Sequence, residues 1–199
     1  MKRKRVGVLI SGRGSNMAAL MQAARDPHYP AEIVHVVSNR ADAPGLATAA
    51  AAGLSTAVIS HRDFASREAF DTALNDHLQQ QALDLIACAG FMRIMTPALI
   101  RPWAGRMINI HPSLLPLYKG LHTHERALAD GAKTHGCSVH LVSEELDGGP
   151  VIAQAAVPVK PGDTAETLAA RVLVEEHKLY PVALALLATG AFRPPGKPS

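Results

Sequence analysis

Asn109 and His111 stand one residue apart where an apolar segment, Ala104 to Ile110, runs into Pro112-Ser113-Leu114-Leu115-Pro116. Side chains two apart on an extended strand point the same way, so an amide and an imidazole can share one pocket at the strand's carboxyl end. An amide donates without exchanging protons, whereas an imidazole donates or accepts according to its charge. That pair suits a reaction in which negative charge builds on an oxygen, as in acyl transfer. Downstream, Asp147-Gly148-Gly149 supplies a carboxylate on a loop whose glycines permit a tight fold-back. A carboxylate beside His111 would orient the ring and favour its cation, so Asp147 is expected to complete a catalytic trio with a charged His111.

Ser11-Gly12-Arg13-Gly14-Ser15-Asn16 offers a second kind of chemistry. It follows a strand pattern and opens a helix pattern, where glycines admit close approach and free N–H groups attract an anion. A dinucleotide fingerprint would place a third glycine where Met17 stands and an acidic residue near Ser38-Asn39-Arg40. Arg40 leaves a ribose 2′-phosphate open, but a small phosphorylated substrate is the better reading. No Gly-Lys-Ser/Thr follows the loop, which excludes a Walker site.

Short β-branched runs alternate with Ala/Leu-rich segments, predicting an α/β fold with a mostly parallel sheet. Strands are expected over Arg5–Ser11, Glu32–Ser38, Thr56–Ile59, Leu83–Ala89 and Arg106–Ile110. Helices are expected over Ser15–Arg25, Pro44–Ala52 (stopped by Gly53), Ser66–Gln80, Thr96–Arg101 and His124–Asp130. Cys137–Val142 and Val151–Val157 read as an antiparallel pair, separated by too few residues for a crossover. A final helix spans Thr164 to Thr189, with Asp163 and Glu166 at capping-box spacing and Leu168, Val172, Leu179, Val182 and Leu186 on its apolar face. Pro181 should bend it.

Composition narrows the classes. The 199 residues, 48% hydrophobic and 19% charged, suit one domain with its own core. Residues 1–4 and 193–199 are expected to be flexible ends of that domain, 1–199. The net charge of +3 owes much to Lys2–Arg5, and three Tyr, four Phe and one Trp give no base-stacking platform, so no nucleic-acid partner is expected. Cys88 and Cys137 lack metal spacing, and Cys88 reads as a buried hydrophobe. His122, His124, His135 and His140 form no helical zinc motif, so no metal is expected. There is no Gly-x-Ser-x-Gly elbow, no signal-peptide pattern and no membrane-length apolar run, which points to a cytoplasmic protein working on small molecules. Oligomeric state is open.

Several stretches together are similar to the folate-dependent formyltransferases, and specifically to their glycinamide ribonucleotide branch. They are Ile10–Asn16, Ala89-Gly90-Phe91-Met92-Arg93-Ile94, Asn109–Pro116, Gly120-Leu121-His122-Thr123-His124 and Glu145–Pro150. The resemblance implies a single Rossmann-like formyltransferase domain with helices on both sheet faces. It implies formyl transfer from 10-formyltetrahydrofolate, as co-substrate, to the amine of 5′-phosphoribosylglycinamide in purine synthesis. Asn109, His111 and Asp147 match the family's catalytic trio, and Gly14, Ser15 and Asn16 its phosphate loop. Glu176 matches a position near the substrate ribose. Arg67, Met92, Arg93, Ile94, Met95 and Asn109 match the folate slot, with Ser143, Glu144, Glu145, Leu146 and Asp147 across from it. Arg13 departs from the Asn or Thr common in relatives, and Leu117-Tyr118-Lys119 departs from their pattern. Relatives acting on transfer RNA carry a further C-terminal domain and deformylases an N-terminal one, and neither is expected here.

Overall fold

A computed structural model describes residues 2–192; the predicted flexible tail 193–199 lies outside the described residues. Strands β1 (Lys4–Ile10), β2 (Ala31–Ser38), β3 (Ser55–Val58), β4 (Leu85–Cys88), β5 (Met107–His111), β6 (Thr134–Leu141) and β7 (Val151–Pro158) form one sheet in the order β3-β2-β1-β4-β5-β6-β7. The five strands from β3 to β5 are parallel. Strand β6 is antiparallel to β7, as predicted, and also to β5, which the sequence reading did not anticipate.

Helices α1 (Ser15–Ala23), α2 (Pro44–Ala51), α3 (Arg67–Gln79), α4 (Pro97–Ile100), α5 (Thr123–Ala129) and α6 (Ala165–Ala188) connect or flank the strands. The period of two on each strand divides the core between the sheet's faces. Val6, Val8, Ile10, Ile108 and Val139 pack with Met17 and Leu20 of α1 and Leu168, Val172 and Leu184 of α6. Leu9, Val37, Ile86, Cys88 and Met107 pack on the other face with Phe70, Leu74 and Leu78 of α3 and with Trp103. Each such fully buried side chain contributes about 1.5–3 kcal/mol of transfer free energy.

Chain direction places the site. From β1 the chain winds outward through β2 to β3, then returns to β4 on the other side of β1. Ligands of open α/β sheets bind beyond the strand ends at such a reversal. There, Ser11 donates its backbone N–H to the Gly90 carbonyl at 3.1 Å, tying the loop after β1 to the loop after β4. Tyr180 of α6, fully buried, donates its hydroxyl to the Cys88 carbonyl at 2.8 Å and lies 3.3 Å from the Ile108 carbonyl. One side chain thus bridges the last residue of β4 and the second residue of β5.

Most boundaries move by a few residues, with two consequences. Strand β5 extends through His111 rather than stopping at Ile110, so His111 is a strand residue with a strand's fixed direction. In α6, Thr164 caps the helix with Thr167 completing the box, so the predicted Asp163–Glu166 box is not formed. Asp163 instead receives both Arg171 guanidinium nitrogens, at 2.7 and 2.9 Å. The buried face of α6 runs Leu168, Val172, Glu176, Tyr180, Leu184, in steps of four. Val182, predicted to face the core, is 55% exposed, because the true face contains a polar Glu176 that an apolar count passes over. Helix α6 continues through Pro181, whose carbonyl accepts the Tyr29 hydroxyl at 2.6 Å.

Candidate active site

Met107, Asn109 and His111 project from one face of β5, and Ser138 and His140 sit opposite His111 and Asn109 across the β5–β6 pairing. The Asp147 loop folds over this face. Gly149 permits it: a Cβ there would run into the Leu141 carbonyl oxygen, and Leu141 N–H donates to the Pro150 carbonyl at 2.9 Å. Asp147 itself takes a left-handed φ of 49°, as do Tyr118 at 54° and His122 at 57° in the facing loop. Such conformations are costly for side-chain-bearing residues and concentrate where a site imposes them.

The carboxylate is bracketed. Asp147 Oδ2 accepts the Gly120 N–H at 2.8 Å and lies 3.5 Å from His111 Nδ1; Oδ1 lies 3.6 Å from His140 Nε2. Asn109 Nδ2 is 3.3 Å from the same His140 Nε2. The carbonyls of Tyr118 and Leu141 can only accept, so they assign the ring hydrogens. His111 Nε2 donates to Tyr118, leaving Nδ1 bare toward Asp147; His140 Nδ1 donates to Leu141, leaving Nε2 to accept from Asn109. Asn109 keeps one amide hydrogen for a ligand.

The expected charge on His111 is corrected. Its side chain is 7% exposed, and burial pushes its pKa below the ordinary value. The Tyr118 carbonyl and Asp147 pull the other way without overcoming it. Burial therefore favours the neutral imidazole at pH 7. For Asp147, burial alone would raise the pKa, but the neighbouring His140, the Gly120 N–H and His111 bring it below the usual range. The site holds an ionised carboxylate against a neutral ring whose Nδ1 is free to take a proton.

At the expected phosphate loop, Gly14 adopts a left-handed φ of 71° and caps α1 with no side-chain bond. A Cβ on Gly14 would crowd Met17 Cε at 3.0 Å and Gly45 Cα at 3.3 Å. Asn16 donates to Glu176 Oε2 at 2.7 Å, and burial raises the Glu176 carboxyl despite that bond. The structure thus brings Gly14, Ser15, Asn16 and Glu176 together across α1 and α6. Arg40, weighed for a 2′-phosphate, is bound in a fork by Asp42 at 3.0 and 2.8 Å.

The residues expected to bind folate distribute over two rims. Met92 is 66% and Ile94 58% exposed on the loop after β4; Leu146 is 53% exposed on the Asp147 loop. Met95 and Val142, at the roots of these loops, pack on one apolar cluster. Ser143 Oγ donates to the Glu145 carbonyl at 3.0 Å. Glu144 is engaged by Arg101 at 2.7 Å and Glu145 by Lys119 at 2.6 Å. Arg67 is exposed at the start of α3, and Arg93 stacks its guanidinium 5.8 Å from the Phe70 ring centre. Sequence reasoning missed His140 as a neighbour of the trio; only the β5–β6 register, Asn109 against His140, could have found it.

A mostly parallel sheet reversing between β1 and β4, with a glycine-opened helix and a strand-end Asn/His pair, defines a Rossmann-like α/β enzyme of acyl-transfer type. Residues 4–184 match the formyl transferase family, and the chain belongs to it. It is 48% identical to phosphoribosylglycinamide formyltransferase of Escherichia coli, over 94% of this chain and 88% of that one. A crystal structure of phosphoribosylglycinamide formyltransferase from Brucella melitensis superposes with a TM-score of 0.90 and 56% identity, covering 97% of this chain and 100% of that one. The trifunctional purine biosynthetic protein adenosine-3 of Bos taurus is 50% identical over 96% of this chain, which spans 19% of that protein's length. Among the described residues no group of three or more His, Cys, Asp or Glu is placed to hold a metal, and no helix is long and apolar enough to cross a membrane.

Proposed function

We propose that this chain transfers the formyl group of 10-formyltetrahydrofolate to the amine of 5′-phosphoribosylglycinamide. The observation that carries the reading is the Asp147 carboxylate held between His111 Nδ1 at 3.5 Å and His140 Nε2 at 3.6 Å, beside the Asn109 amide. The phosphate rests on the N–H groups of Gly14, Ser15 and Asn16, and Glu176 meets the ribose. The folate lies between Met92–Met95 and Ser143–Asp147, with Arg67 and Arg93 near its acidic end.

An α-amine titrates at roughly 7.7–8.0, so a useful fraction is neutral near pH 7 and needs no protein nucleophile. Its nitrogen attacks the formyl carbon, and the carbonyl oxygen takes the negative charge. Asn109 donates its free amide hydrogen to that oxygen. Loss of one such donor costs about 10²–10³ in rate. The amine nitrogen, now positive, gives a proton to His111 Nδ1, where Asp147 and the oxyanion favour the cation that burial disfavours at rest. The carbon–N10 bond then breaks, and the same proton passes to the departing folate nitrogen. One C–N bond forms and one breaks, with no net proton change. Holding both substrates in register supplies much of the acceleration.

The test is an assay of formyl transfer to phosphoribosylglycinamide against simple hydrolysis of the formyl folate. Amine-dependent product is expected; hydrolysis unaffected by the amine would contradict the reading.

A further inference from the structure

The loop Phe91–Thr96 keeps two large apolar side chains, Met92 and Ile94, out in solvent. That arrangement runs against the hydrophobic effect, which would draw both toward the cluster of Phe70, Phe91 and Leu99 beneath. Something must hold the main chain. Two buried polar side chains do so, one at each end.

At the entrance, Ser11 is 7% exposed, and its hydroxyl accepts the Met92 N–H at 2.8 Å. The hydroxyl hydrogen goes to Asn39 Oδ1 at 2.6 Å, and Asn39 Nδ2 is in turn 3.1 Å from His61 Nδ1. Ser11 therefore cannot rotate away without breaking both bonds. At the exit, Asp71 of α3 has no exposed surface, and its Oδ2 accepts the Thr96 N–H at 2.5 Å. Its Oδ1 is buried without a partner among the described residues, as is Arg93 Nε in the loop above. Burial pushes the Asp71 carboxyl above its ordinary range. Burying a carboxylate is costly even with the Thr96 N–H and the charges of Arg93 and Arg67 to oppose the penalty, and a position serving packing alone would not carry it.

We infer that Ser11 and Asp71 are positioning residues for the folate co-substrate: they fix the Met92 and Thr96 N–H groups, and so present the apolar rim between them as a preformed slot. The inference rests on the proposed reading of Met92–Met95 as the folate slot. Ser11 directly follows the strand that feeds the phosphate loop and Asp71 lies on the helix of the opposite layer, so the slot is registered against both parts of the fold. Neither side chain needs to touch the ligand.

The experiment is steady-state kinetics of the full chain with both substrates varied, with thermal melting to confirm folding. Ser11→Ala and Asp71→Ala are expected to raise KM for 10-formyltetrahydrofolate about tenfold, the scale of one lost hydrogen bond. KM for phosphoribosylglycinamide and kcat should change less than about threefold. Ser11→Thr and Asp71→Asn, which retain an acceptor, should restore the folate KM. Ile94→Asp, altering the rim directly, separates the layers of the claim. If Ile94→Asp raises the folate KM while Ser11→Ala leaves it unchanged or raises both KM values equally, the positioning role is overturned and the slot stands. If Ile94→Asp has no effect on the folate KM, the slot reading fails and the inference with it. Should Asp71→Ala not fold, Ser11→Ala and its threonine rescue decide the matter.

Discussion

Asn109 and His140 face each other across the β5–β6 pairing, with the amide nitrogen 3.3 Å from His140 Nε2. The Leu141 carbonyl, 2.9 Å from Nδ1, fixes the His140 tautomer, and that tautomer fixes which way the Asn109 amide points. A donor aimed before substrate arrives loses nothing to reorientation during the reaction. On the proposed mechanism, the histidine acts on the oxyanion through the asparagine.

His140→Ala should consequently lower kcat by about ten- to a hundredfold, part of the loss expected for removing the donor itself. The KM for either substrate should move little. Paired with Asn109→Ala, the double variant should be no worse than Asn109→Ala alone, because both changes remove one oriented donor. Multiplicative losses in that cycle would show that His140 works independently of Asn109.

Gly149→Ala tests whether the Asp147 loop depends on backbone approach. The added Cβ meets the Leu141 carbonyl oxygen, a main-chain atom in strand β6 that cannot rotate aside. Overpacking of this kind costs about 1–3 kcal/mol, read as a lower urea midpoint with an unchanged slope. Activity should fall further than stability, since the displaced loop carries Asp147. Gly12→Ala is the contrast: a Cβ there meets nothing within 4 Å, and the fold should tolerate it.

Acid should destabilise the fold through His135. The ring is 1% exposed, packs edge-on to His124 at 5.1 Å, and neither nitrogen has a hydrogen-bond partner among the described residues. Burial, reinforced by His124, holds its pKa down from 6.5 to about 4. The unfolded chain takes up a proton near 6.5 while the folded chain refuses it until about 4, so stability falls as pH drops through that window. The loss from this residue is at most about 3 kcal/mol. Urea unfolding at neutral and mildly acidic pH measures it: His135→Gln should flatten the dependence, and a slope equal to the parent's would contradict the assignment.

How much could be read before the structure depended on the kind of interaction. Asn109 and His111 were legible because a strand's alternation needs no knowledge of neighbours, and Gly148-Gly149 announced a tight return. The Asp147 carboxylate could then be placed opposite the ring. His140 was hidden, since its role depends on which strand pairs with β5 and in what register. The resting charge of His111 was misread for a related reason: a neighbouring carboxylate is visible in sequence, but the burial that outweighs it is not. Helix α6 shows the limit of apolar counting, because Glu176 and Tyr180 occupy its inward face while Val182 points out.

The most direct measurement is the single-turnover rate of Asp147→Asn with both substrates saturating. Asparagine keeps the shape and an acceptor for the Gly120 N–H but removes the charge that stabilises a proton on His111 Nδ1. The rate should fall by about a thousandfold or more while a folate analogue still binds within about threefold of its normal affinity. A rate within tenfold of the parent's would mean that the proton travels elsewhere, and that the carboxylate between the two histidines is not the centre of the chemistry.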